Sequence, residues 1–250
     1  MSMDSVTVIT SGKGGVGKST VAATLGAALA ARGRRVLLVD CDAGLGSLDL
    51  MLGVARRRVF DIADVVSGAA EPAKAVYPCA FCENLFLLSA PQTEEDVVSP
   101  EIMRELIAVF ARYYDHVLID SPAGIGRGFL SAAAAARRSL VVATPDPVCL
   151  QAAARTRARL GEAGIGQQRL VVNRFSAARF RAQGCYRDLD SVIDAAGIRL
   201  IAVIPEDPAF AAAALRAEAA PQGSPGATAV ARLAARMEGE RVPLAAVDRF

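Results

Sequence analysis

The sequence predicts an α/β chain in three layers, with a mostly parallel central sheet between two layers of helices. Three observations carry this. Short β-branched or leucine-rich runs alternate with helical patterns from end to end. The predicted strands are near-continuously apolar, as strands covered on both faces are. The polar residues that stand out fall at the carboxyl ends of those strands, where sheets of this kind bind ligands.

Val6–Thr10 reads as the first strand, followed by a glycine-rich loop and a helix from near Lys18 to residue 32, which Gly33 stops. Val36–Asp40 is a second strand, ending in an acid. Short helices are predicted at 60–67 and 72–76. A strand at 85–89 precedes a helix at 100–113, and His116–Asp120 is a strand that again ends in an acid. Then come a helix at 129–136, a strand at 140–144 and a helix at 148–163. A strand at 170–173, a helix at Leu189–Ala196 and a strand at 200–204 follow, and helices at 208–219 and 226–238 close the pattern. No internal repeat or long linker divides the chain, so residues 1–250 are expected to form one domain, with 243–250 as a flexible tail.

Hydrophobic residues make up 53% and charged residues 22%, the balance of an ordinary globular protein rather than a disordered or membrane-spanning one. Apolar runs such as 132–136 are far short of the ~20 residues a span needs. The chain goes from Met1-Ser2-Met3-Asp4 directly into an apolar strand, so no signal segment and a cytoplasmic location are expected. Cysteines occur at 41, 79, 82, 149 and 185, an odd number. Cys79-Ala-Phe-Cys82 lacks the second pair or the histidines that a zinc site needs, and reduced thiols are expected. His116 is the sole histidine. The net charge of +2 excludes nothing, but from Arg155 to Arg187 there are eight arginines and one acid, Glu162. That stretch is either a solvated basic surface or a patch facing a polyanion.

Only three lysines occur in the chain, and two of them, Lys13 and Lys18, share one loop. From Gly12 the loop reads G-x-x-x-x-G-K-S, the phosphate-binding pattern, in its confirming context of strand, loop and helix. Gly12, Gly14, Gly15 and Gly17, with Val16 among them, let backbone N–H groups turn inward around phosphates. The helix N-terminus adds partial positive charge. Lys18 is expected to bridge the β- and γ-phosphates, Ser19 to ligate Mg²⁺, and Thr20 to bond the α-phosphate. Asp40-Cys41-Asp42 ends a buried strand beside this loop, which suggests metal and water chemistry. The segment 117–124, V-L-I-D-S-P-A-G, ends three apolar residues in Asp120, placed at the Mg²⁺ hydration shell. Gly124 and Gly126 let the following loop re-form when a phosphate leaves. Asn173, at a strand end, can read a purine edge or simply serve a turn.

With Lys13 the loop reads K-G-G-V-G-K-S and resembles the MinD/ParA family of deviant Walker A ATPases. The resemblance runs from about residue 6 to 242. Within the family the stretches L-G-S-L-D-L-M-L-G at 45–53, D-S-P-A-G-I at 120–125 and V-I-P-E-D at 203–207 resemble the MinD branch. The resemblance implies ATP and Mg²⁺ as ligands and a homodimer in the ATP state. In that dimer Lys13 would reach the partner's nucleotide and supply charge stabilisation in trans. It implies that Asp42 positions the attacking water, that Asp40 lies near Mg²⁺, and that Asn173, Pro205 and Asp207 hold adenine. The implied activity is slow, partner-stimulated ATP hydrolysis in a switch that regulates spatial positioning, foremost of the cell-division septum, with a division-regulator protein as partner. Two alternatives stand beside it: a ParA-like ATPase binding DNA through 155–187, and a nucleotide-sensing scaffold with little turnover.

Three departures from the MinD pattern are visible. Gly46-Ser47 stands where Arg-Asn is usual. Gln151, Ala152 and Ala154 replace a charged helix start that serves partner binding. The tail 243–250 is too poor in apolar residues for the interfacial helix that ends MinD proteins. The helix before it carries Val230, Leu233, Ala234 and Met237 at core spacing and is expected to pack on the sheet. Whether the chain works at the inner face of the cell membrane or on DNA therefore stays open.

Overall fold

The computed structural model describes residues 5–44, 46–92 and 98–244. Leu45, the Met1–Asp4 start and the part of the tail beyond Leu244 lie outside the described residues. The elements in order are β1 (Val6–Thr10), α1 (Lys18–Ala30), β2 (Val36–Asp40), α2 (Ser47–Met51), α3 (Ile62–Val66), a 3-10 turn (Pro72–Ala75), β3 (Val76–Pro78), β4 (Leu85–Leu88), α4 (Pro100–Phe110), β5 (His116–Asp120), α5 (Arg127–Ala134), β6 (Arg138–Ala143), α6 (Pro147–Glu162), β7 (Gln167–Phe175), α7 (Ala177–Gln183), α8 (Leu189–Ala196), β8 (Leu200–Pro205), α9 (Pro208–Arg216) and α10 (Pro225–Met237).

The strands form one sheet in the order β3-β4-β2-β5-β1-β6-β7-β8. Every pairing is parallel except β3 with β4. This is the predicted α/β/α architecture of a phosphate-loop nucleoside triphosphatase. Each residue of β1 and β2 is buried, because helices cover both faces. The helices start where the sequence supplies caps. Ser99, Asp146, Asp207 and Ser224 each accept a backbone N–H of the following first turn, and each is followed by proline. Proline suits that place because its missing N–H has no helical partner there in any case.

The structure adds three elements to those the sequence pattern shows. α2 has five residues, too few to display a helical period. β3 has three, ends in Pro78 and pairs antiparallel at the sheet edge, where proline is tolerated. α7 lies in the arginine-rich stretch, and its one signal was Ser176, whose hydroxyl accepts the Arg179 N–H. The predicted helix at 72–76 is a 3-10 turn leading into β3. α10 packs against α1 and β8, as the spacing of its apolar residues requires: Leu233 and Ala234 are fully buried and Val230 nearly so. No helix of the described residues is long and apolar enough to cross a membrane.

Candidate functional site

β1 lies between β5 and β6, so the chain leaves it at the point where successive strands turn to opposite sides of the sheet, and a crevice opens there. The loop after β1 occupies that crevice. Gly15 and Gly17 have φ of 80° and 87°, a conformation that favours glycine. Gly17 is the N-cap of α1 and gives it no side-chain cap, which leaves the first-turn N–H groups for a ligand. Gly12 is fixed by a neighbour: a Cβ on it would lie 2.4 Å from the Ala152 carbonyl oxygen of α6. The Gly124 N–H donates to the Ser11 carbonyl at 3.0 Å, tying the segment after β5 to the start of the loop.

Strand register brings the predicted acids together. Asp120 is level with Ile9 on one side and with Asp40 on the other. Both carboxylates have no exposed surface. The Lys18 ammonium, 6% exposed, lies 2.7 Å from Asp120 Oδ1 and donates to it. It also lies 3.4 Å from the Ser19 hydroxyl. Asp40 Oδ1 accepts the Asp42 N–H at 2.9 Å, which sets half-buried Asp42 at the mouth of the same cluster. Burial pushes the Asp40 carboxyl up to about 7, and the Asp120 charge beside it adds to the rise. Burial also raises Asp120, against the pull of the Lys18 ammonium.

Asp40 Oδ2, Asp120 Oδ2 and Thr10 Oγ1 are buried with no hydrogen-bond partner. Such groups are costly unless a ligand satisfies them. Two unpaired carboxylate oxygens beside a serine hydroxyl and a phosphate cradle fit Mg²⁺. That ion takes one or two carboxylates, keeps several waters and fills the rest of its shell from phosphates. Among the described residues no group of three or more His, Cys, Asp and Glu forms a closed metal cage. Cys79 is buried and Cys82 half-buried; both are free thiols, and burial raises both above the ordinary thiol range.

Lys13 is exposed on the loop, and its charge acts on Asp146, the N-cap of α6. Burial pushes Asp146 upward, but the Thr144 hydroxyl at 2.6 Å, the Cys149 N–H at 3.0 Å and Lys13 outweigh it, leaving the carboxyl below its ordinary value. The Asn173 amide donates to the Val16 carbonyl at 2.8 Å, so this strand end grips the loop directly. Asp207 binds two helices: Oδ1 accepts the Ala209 N–H and Oδ2 the Gly226 N–H, each at 2.9 Å. Pro205 ends β8 opposite Phe175 of β7. Thr20 lines a cavity of about 470 Å³ between α1, α9 and α10, walled mostly by alanines such as Ala23, Ala27 and Ala213. Arg174 and Asp146 are neighbours of the loop that the sequence motifs did not single out. Asp146 had a visible signal, the Asp-Pro start of a helix. Arg174 had none, since its position comes from an irregularity in β7.

Fold and site together define a nucleotide-binding protein of the phosphate-loop class, and residues 7–220 match the CobQ/CobB/MinD/ParA nucleotide binding domain. The septum site-determining protein MinD of Thermotoga maritima is 37% identical over 249 residues, covering 97% of this chain and 91% of that protein. Its Bacillus subtilis counterpart is 36% identical over 251 residues, covering 98% and 93%. The chain belongs to the MinD family. Among solved structures, MinD in the MinC:MinD cell division protein complex of Aquifex aeolicus superposes with a TM-score of 0.88 at 34% identity, covering 96% of this chain and 98% of that one. MinD of Pyrococcus horikoshii complexed with Mg-ADP gives 0.83 at 32% identity, covering 93% and 95%.

Proposed function

We propose that the chain is a MinD-like ATPase that serves septum-site placement as a dimerising switch, with ATP favouring the dimer and hydrolysis releasing it. The observation that carries this is the buried Lys18–Asp120 pair, set beside two carboxylate oxygens without partners at the mouth of an uncapped helix. An ammonium and free N–H groups on one side, and carboxylate oxygens without partners on the other, suit a triphosphate and its cation.

In this reading the N–H groups of Gly12, Gly14, Gly15, Val16 and Gly17 wrap the phosphates. Lys18 exchanges Asp120 for the β- and γ-phosphates, and Thr20 bonds the α-phosphate. Ser19, Asp40 and Asp120 would hold Mg²⁺ and its water. When bound, Mg²⁺ neutralises charge on the β- and γ-phosphate oxygens. Asp42 orients the water that attacks the γ-phosphorus; the bond to the β-γ bridging oxygen breaks, giving ADP and inorganic phosphate. Asn173, Pro205 and Asp207 flank the base. Lys13, exposed and facing Asp146 in the single chain, reaches the partner's nucleotide in the dimer. A division regulator is the expected stimulating partner, as the MinC:MinD complex of the Aquifex relative suggests.

Lys13→Ala is expected to keep ATP binding and lose the ATP-dependent dimer by light scattering. A normal dimer in that variant would sink the trans-lysine role. Asp42→Ala is expected to keep the dimer and trap it with ATP, and rapid turnover would show that Asp42 does not order the water. One observation favours the DNA-binding alternative: Arg155, Arg157 and Arg181 are exposed and have no acidic partner among the described residues. Co-sedimentation with liposomes and with DNA, in ATP and in ADP, separates the two surfaces.

A further inference from the structure

The cavity between α1, α9 and α10 reaches well beyond the phosphate loop. It holds about 470 Å³, within the range of small-molecule sites, whereas packed interiors seldom leave voids larger than a water molecule. One wall is the outer face of α1 from Thr20 to Ala31, a run of about 16 Å at the helical rise. Met51 of α2, Phe81 of the turn between β3 and β4, and Phe210 of α9 add large apolar side chains to the lining. The chain does not fill this space from within. α9 sets Ala213 and Ala214 on it and leaves the next residue, Leu215, 89% exposed.

The connector after α9 runs along the rim. Ala217 has a left-handed backbone, φ 51°, which stops the helix, and the Glu218 N–H donates back to the Ala213 carbonyl at 3.0 Å. Ala217 is seated beside Gly53, just after α2, where an added Cβ would lie 3.4 Å from its own. The connector is thus held beside the cavity instead of collapsing into it. Two charged residues line the cavity, and each already has a partner. Arg32 binds Glu238 at 2.6 Å and also Glu240, and Glu218 binds Arg216 at 3.1 Å. The Thr24 hydroxyl is engaged as well, donating to the Thr20 carbonyl at 2.7 Å.

We propose that this cavity is a binding site for a neutral single-chain amphiphile, a molecule with one flexible apolar chain and an uncharged polar head, such as a fatty alcohol or a monoacylglycerol. The long apolar wall along α1 suits an extended chain, whose burial is favourable in proportion to the apolar area removed from water. The paired charges of the rim select the head. An anion would have to draw Arg32 from two carboxylates, and a cation would have to draw Glu218 from Arg216, whereas a hydroxyl head can stay at the open side in water. The inference stands apart from the nucleotide-site reading, because Thr20 is the one residue that the two sites share.

The test is calorimetric titration of the parent chain with decanol, decanoate and decyltrimethylammonium, each below its micelle concentration. Decanol is expected to bind at one site per chain, and the two charged analogues at least about tenfold more weakly. Ala27→Leu, on α1, and Ala213→Leu, on α9, each put a larger side chain into the cavity. Both are expected to weaken decanol at least about tenfold while unfolding at the parental temperature or above, as cavity-filling changes do. Should either variant fold poorly, methyl spectra of the alanine-labelled parent chain decide the matter: decanol is expected to shift Ala23, Ala27 and Ala213. Decanol and ATP with Mg²⁺ are expected to bind the parent chain together. No binding of decanol, shifts confined to alanines elsewhere, parental affinity in both leucine variants, or decanoate binding as tightly as decanol would each overturn the proposal. Complete displacement of decanol by ATP would do so too, since the cavity would then belong to the nucleotide.

Discussion

Asp40 is held where a carboxylate is least stable. It has no exposed surface, faces the Asp120 charge, and has one oxygen without a partner. Its carboxyl, raised to about 7 in the fold from 3.8, contributes stability that is present at acid pH and is lost as pH rises through about 7. Asp40→Asn keeps an acceptor for the Asp42 N–H and gains an N–H₂ that can face Asp120. It is therefore expected to stabilise the nucleotide-free chain by about 1–3 kcal/mol at pH 8 in EDTA, with the gap closing toward pH 5. Mg²⁺-dependent nucleotide binding is expected to weaken. Thermal unfolding across pH checks the first part; a less stable Asn variant at pH 8 would mean that Asp40 is not held against its preference for water. At this scale most of the cluster was legible in the sequence. Glycine spacing, Lys18 and two strands ending in aspartate suffice, because those residues must meet one ligand. Arg174 was not legible, because a bulge has no composition.

Elements place these residues through contacts that spacing alone does not reveal. The loop motif accounts for Gly12 by phosphate wrapping, while the structure gives it a second reason in the α6 backbone. Gly12→Ala would put a Cβ 2.4 Å from the Ala152 carbonyl, so α6 or the loop must shift. We expect at least about a tenfold loss of nucleotide affinity together with a lower unfolding temperature. Ala152→Gly is not expected to rescue it, since the obstacle is backbone; a rescued double variant would show that the Ala152 side chain alone sets the limit. The charged helix start usual at this place is absent, and Ala152 packs where one of those residues would stand. Asp207 joins the starts of α9 and α10. Burial raises its carboxyl, but hydrogen bonds from Ser224, Ala209 and Gly226 outweigh it and hold it below the ordinary value. Its stabilising effect is therefore present above the unfolded carboxyl's range and is lost as pH falls through the lowered value. Asp207→Asn is expected to flatten the acid limb of the unfolding temperature against pH, and an unchanged limb would mean that this junction carries little of the fold. Long apolar strands and capped helices were legible, whereas α2, β3 and α7 fell below the length at which a period shows.

Across the whole molecule the two ends of the sheet do different work. The carboxyl ends hold left-handed glycines, carboxylate oxygens without hydrogen-bond partners and the bulge of β7. The opposite end is closed by ion pairs where α10 meets α1: Glu238, 11% exposed, binds Arg32 Nε at 2.6 Å, contacts Arg34 and lies 3.8 Å from His116 Nε2. Burial raises the Glu238 carboxyl, but these arginines outweigh it and hold it below its ordinary value. Because α10 also fills the core between α1 and β8, this latch secures the helix that backs the loop without touching a ligand. Glu238→Gln is expected to cost about 1 kcal/mol, since Arg32 and Arg34 are a third to a half exposed and well screened. For a chain of this size that lowers the unfolding temperature by about 2–4 °C, and the difference should shrink in 1 M salt, where screening extends only about 3 Å. ATP affinity is expected to stay within about twofold, since Glu238 sits beside His116 at the start of β5, whereas the phosphate loop lies beside Asp120 at its end. Asp40→Asn, at the other end, is expected to move the two quantities the opposite way, with stability rising and Mg²⁺-dependent affinity falling. If Glu238→Gln weakened ATP binding as much as Asp40→Asn does, the latch would be coupled to the site through α1 or α10, and the division of labour between the two ends of the sheet would be wrong.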